Sequence, residues 1–91
     1  LSDKDTFVYN VRQGIEEAFE WVLENVLKGI RDELKREVAR VKAMELRDKI
    51  LAEALEEARR VIIESDYYYA RMYDDCEEIV WEILEKYGIS P

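Results

Sequence analysis

The chain has 91 residues, 48% of them hydrophobic and 40% charged, with a formal net charge of −8. That apolar share, which includes Trp21, Trp81, Phe7, Phe19 and six tyrosines, suffices for a real core and excludes a disordered acidic tail. The acidic balance argues against binding a phosphate backbone or an anionic membrane, and no uninterrupted apolar run is long enough to span a bilayer.

The polar start LSDKDTF does not read as a cleavable signal segment, so a cytoplasmic location is the default expectation. Histidine is absent and Cys76 is the single cysteine. Histidine acid/base chemistry, HExxH zinc sites, multi-cysteine metal sites and an internal disulfide are therefore excluded within one chain. Cys76 falls in an apolar series and reads as a buried thiol.

The periodicity predicts an all-α chain, one helical domain over residues 1–91, with helices at 6–28, 30–64 and 66–87. In the first, Asp5 or Thr6 is placed to cap the amino end. Val8, Val11, Ile15, Ala18, Phe19, Val22 and Val26 then recur every three or four residues as one stripe, widened by Trp21, Leu23 and Leu27. Gly14 interrupts this pattern and suits a close helix crossing. Lys28 and Gly29 fit a helix end with a left-handed glycine, so a turn or sharp bend is expected there.

The second helix has its apolar side at Leu34, Val38, Val41, Met44, Ile50, Leu51, Leu55, Ala58 and Ile62. It would run for about 50 Å beside neighbours of about 33 Å. The resulting overhang suggests an antiparallel three-helix chain that assembles as a dimeric bundle, with Leu34, Val38, Val41, Met44, Leu51, Leu55 and Ile62 in the oligomer core. Charge supports placing the last helix beside the middle one: residues 31–60 carry a formal +1, and residues 61–91 carry −6.

Ser65 or Asp66 can cap the third helix, whose apolar face is read as Tyr69, Tyr73, Cys76, Val80, Ile83 and Tyr87. Gly88 then supplies a left-handed cap and Ile89 packs back, while Pro91 blocks further helix. Consecutive tyrosines cannot all share one stripe, so Tyr67, Tyr68 or both are expected at an interface. With Asp74, Asp75 and Glu78 they form a candidate surface for a basic or aromatic-binding partner protein.

One carboxylate pattern suggests chemistry. Glu16-Glu17-Ala18-Phe19-Glu20 precedes Glu45-Leu46-Arg47-Asp48 by twenty-four residues, an EExxE then ExxD spacing. This spacing is similar to that of MazG-like nucleoside triphosphate pyrophosphohydrolases. The resemblance implies Mg²⁺ held by Glu17, Glu20, Glu45 and Asp48, with Glu16 accessory. A chain with twenty-two acidic residues also produces such spacings on solvated helix faces. The leading expectation is a non-enzymatic oligomerisation or protein-interaction module without a cofactor, working as a homodimer; the Mg²⁺-dependent hydrolase is the alternative.

Overall fold

The computed structural model describes residues 3–63 and 72–91. Among these are four α-helices: α1 (Asp3–Lys28), α2 (Glu33–Glu45), α3 (Arg47–Ala58) and α4 (Met72–Lys86). A five-residue π-helical turn, Arg59–Ile63, continues α3. The expected caps Ser65 and Asp66, and the core position Tyr69, lie outside the described residues.

The first helix follows its predicted stripe. Val11, Ile15, Ala18, Phe19, Val22, Leu23, Val26 and Leu27 are all buried. It begins at Asp3, so Asp5 and Thr6 lie inside the helix and not at its cap. It ends at Lys28 as expected, and the Gly29 N–H donates to the Asn25 and Val26 carbonyls. Gly29 is not left-handed, since Gly88 is the one positive-φ residue among those described. What excludes a side chain at Gly29 is Pro91, whose Cβ would lie 2.9 Å from an added Cβ. The carboxyl ends of α1 and α4 therefore meet, and these two helices run parallel.

The long middle helix does not exist, and this corrects the predicted three-helix architecture. Ile30 is buried in the turn, and Asp32 caps α2 by accepting from the Lys35 N–H at 2.9 Å. Arg36 reaches back from α2 with Nε and Nη2 to the Ile30 carbonyl, at 3.0 and 2.7 Å. The rod then breaks at Leu46, whose φ of −95° and ψ of 3° lie outside helical geometry. The unbroken overhang that called for a second chain to cover it disappears with this break. The four-helix chain gives no support to a dimeric bundle built on that overhang.

The inward face of the middle segment also differs from expectation. Ala43, Ile50, Ala54, Ala58 and Ile62 are buried, with Ala39, Leu46 and Leu51 packed against the core in part. From Ile50 to Ile62 the spacing is a strict four, and each such step overshoots a full α-helical turn by about 40°. The wider π-turn at Arg59–Ile63 takes up this drift and keeps both Ala58 and Ile62 inside.

The last helix packs between α1 and α3. Its buried residues are Met72, Cys76, Ile79, Val80, Ile83 and Leu84. Tyr73, expected inside, is exposed, as is Trp21 on α1. The Schellman end forms as predicted: Gly88 has φ +74°, its N–H donates to Glu85, the Ile89 N–H donates to Leu84 at 2.8 Å, and Ile89 is buried. Lys86 bridges to Glu53 of α3 at 3.1 Å, and the Tyr87 hydroxyl donates to the same carboxylate. The last helix thus does lie beside the less acidic middle segment.

At Gly14 the α1–α4 crossing leaves no spare room, because an added Cβ would stand 3.2 Å from the Cys76 sulfur. Burial, helped by the Asp75 and Glu77 carboxylates, pushes the Cys76 thiol up to about 12. Two outcomes follow. In a double-mutant cycle by urea denaturation, Gly14→Ala should be more favourable by about 1 kcal/mol in a Cys76→Ala background than in the parent, since the helix gains propensity only once the sulfur is gone. In the unfolded chain the thiol ionises near its ordinary value of 9.0, so the contribution of Cys76 is complete below pH 9 and is lost as pH rises toward 12. Cys76→Ala should accordingly flatten the alkaline limb of a stability–pH curve.

Candidate interaction surfaces

The second helix is apolar on two opposite faces. Ala39 and Ala43 turn inward, while Leu34, Val38, Val41 and Met44 stand 75, 59, 46 and 55% exposed. At 100° per residue, Leu34, Val38, Val41 and Glu45 form a narrow outward seam about 180° from Ala43. Its edges differ in charge: Glu37 and Met44 flank one side, Lys35 and Lys42 the other. A shallow groove of about 300 Å³ follows this face, lined by Leu34, Glu37, Val38, Val41, Lys42 and Glu45. No other described helix exposes so continuous a row of large aliphatic side chains.

The remaining residues expected in an oligomer core are placed otherwise. Leu51 and Leu55 are half-buried, and Ile62 is part of the chain's own core. A wider groove of about 730 Å³ runs between α1 and α2 over Phe19, Leu23, Leu27 and Met44. Its cations are largely engaged: Lys28 pairs with Glu24 at 3.3 Å, Arg40 with Glu37 at 3.5 Å, Arg36 with the Ile30 carbonyl, and Arg47 lies over the Phe19 ring.

Two residues of the expected acidic partner surface come together. Asp75 and Glu78 line a shallow recess with Glu57, Val61, Ile79 and Glu82, whereas Glu77 turns to the opposite side, toward α1. Asp74 is exposed. Tyr67 and Tyr68 lie outside the described residues.

The carboxylates of the EExxE and ExxD pattern are spread over separate surfaces. Glu17 lines a recess between α1 and α4, Glu20 the α1–α2 groove, and Glu45 the outward groove of α2, while Asp48 sits 3.8 Å from Arg47. Among the described residues no group of three or more acidic or thiol side chains is arranged to hold a metal ion. The hydrogen bond from Tyr87, with Lys86 alongside, lowers the Glu53 pKa and correspondingly raises that of Tyr87. Both groups staple α3 to the end of α4.

No known protein family, curated protein or solved structure matches the chain. Among the described residues no helix is long and apolar enough to cross a membrane.

The outward seam of α2 makes no contribution to the chain's own core. Val38→Glu with Val41→Glu should therefore leave helicity unchanged and change the unfolding free energy, measured by urea denaturation, by no more than about 0.5 kcal/mol, the usual range for surface changes. Ile50→Ala, in the core, should cost about 2–5 kcal/mol in the same experiment.

Proposed function

We propose that this chain is a helical oligomerisation and protein-interaction module that docks through the outward face of α2. The observation that carries this reading is the row Leu34, Val38 and Val41, with Met44 at its edge, exposed on a helix that already buries a separate face. A soluble chain gains nothing in its own fold from such a row, and contiguous exposed apolar surface marks a site of association.

The charge pattern favours a second copy of the same chain as the occupant. In a parallel pairing about a two-fold axis, the Glu37 edge of one α2 meets the Lys42 edge of the other, five residues further on, and the contact occurs twice. An antiparallel pairing sets Lys35 against Lys42 instead. The second helix has four basic and three acidic residues, so its formal charge is +1 within a chain of −8. It is the least repulsive place for two copies to meet.

Energetics make the association weak. Full burial of an aliphatic side chain stabilises by about 1.5–3 kcal/mol, and association itself costs about 4–15 kcal/mol. A dissociation constant on the order of tens to hundreds of micromolar is expected. Glu45 closes the seam and faces its own counterpart in the parallel arrangement.

Sedimentation equilibrium should show a concentration-dependent rise from 10.9 kDa toward twice that mass. Val38→Glu should abolish the rise with the helices intact, and Glu45→Leu should tighten it by about tenfold or more through added apolar contact and removed repulsion. A chain that stays at one mass to millimolar concentration overturns self-association.

A further inference from the structure

A second surface, built from α1 and α4 and sharing no residue with the α2 seam, has a different chemistry. The crossing of α1 and α4 leaves a recess of about 230 Å³ lined by Gly14, Glu17, Ala18, Trp21, Tyr73 and Glu77. Its floor is low because Gly14 has no side chain and Ala18 is buried. The edge of the Tyr73 ring would lie 3.7 Å from a Cβ at Gly14, so the ring flanks that floor. Trp21 and Tyr73 are 54 and 58% exposed, large aromatic areas left in water on facing helices.

The two carboxylates complete the pattern. Glu17 stands one turn before Trp21 on α1, and Glu77 one turn after Tyr73 on α4, so each ring has an acid beside it. Three acids elsewhere have cations at hand, Glu24 with Lys28, Glu37 with Arg40 and Glu53 with Lys86. No Lys or Arg among the described residues lines this recess or bridges to Glu17 or Glu77.

We propose that this recess binds the cationic side chain, arginine or lysine, of a basic peptide segment on a partner protein. The faces of Trp21 and Tyr73 attract a cation through the ring quadrupole, an interaction of about 0.5–1 kcal/mol at exposed sites. Glu17 and Glu77 add charge-assisted hydrogen bonds to its N–H groups. The volume is that of one long side chain, and the small floor lets its aliphatic stem lie between the helices. A planar guanidinium stacks on a ring and still donates in its plane to both acids, which favours arginine over lysine.

The test uses N-acetyl-arginine amide, N-acetyl-lysine amide and the neutral isostere N-acetyl-citrulline amide, titrated into the whole chain at constant ionic strength. Amide and indole NMR shifts should move at Gly14, Ala18 and Trp21 with arginine, less with lysine, and not with citrulline. Glu17→Gln with Glu77→Gln, and separately Tyr73→Leu, should each weaken arginine binding by about fivefold or more. Glu56→Gln with Glu82→Gln removes the same charge from the α3–α4 side and should leave binding unchanged. Equal weakening by both pairs, shifts scattered over the acidic surface, or citrulline binding as well as arginine would overturn the proposal. Circular dichroism of each variant, at positions whose side chains face solvent, separates loss of binding from loss of fold.

Discussion

Small side chains on the inward face of α2 and α3 set the distances at which everything else packs. Ala43, Ala54 and Ala58 have no exposed surface, and their neighbours on that face, Ile50 and Ile62, are the large side chains that α3 and its π-turn bury fully, with Leu51 and Ile63 packed against the core in part. Because helix separation depends on the side chains at the contact, this alanine row lets α3 settle against both α1 and α4. The bulk of the core is then supplied from the other side by Phe19, Ile15, Val22 and Leu84. The same economy operates at the α1–α4 crossing, where Gly14 meets the Cys76 sulfur.

That arrangement explains why the middle of the chain is bent. A straight rod would carry the strict four-residue series from Ile50 to Ile62 around the helix and out of the core. The break at Leu46 and the π-turn at Arg59–Ile63 divide the rod so that each part keeps its small face inward. Neither feature has a proline or glycine to announce it in the sequence. What it had was the spacing itself, with Ala54 and Ala58 following Ile50 at fours, a pattern easily passed over because alanine carries little hydrophobic weight.

The legible parts of the fold were those in which one local effect dominated. The stripe of α1 is large, apolar and regular from Val11 to Leu27, and Gly88 with Ile89 and Pro91 specifies a helix end through backbone chemistry alone. Asp32 was equally readable as a cap, but Ile30 drew the helix start forward although it is instead a buried turn residue. On α2 the large residues pointed to the wrong interior: Leu34, Val38 and Val41 outweigh Ala39 and Ala43 in any count of hydrophobicity, yet close packing selected the alanines. The outward row was thus expected to be an oligomer core on the strength of an overhang that does not exist. Tyr73 was misplaced for a related reason, since its ring suits a core face by size while the tight crossing at Gly14 has room only for Cys76 beneath it. The recess between Glu17 and Glu77 was not legible at all, because it depends on which residues of two helices sixty positions apart come to lie across from one another.

The placement of charge differs between the two proposed surfaces. At physiological ionic strength charges interact over about 8 Å, so each surface responds to its own neighbourhood more than to the total of −8. Around the α2 seam acids and bases are nearly balanced, which permits like chains to approach. Along α4, by contrast, Asp74, Asp75, Glu77, Glu78, Glu82 and Glu85 face a single base, Lys86. Such a field repels a second copy of the same helix. The local balance of charge therefore differs between the two proposed surfaces: near neutral along the α2 seam, and acidic with no cation in the lining at the α1–α4 recess.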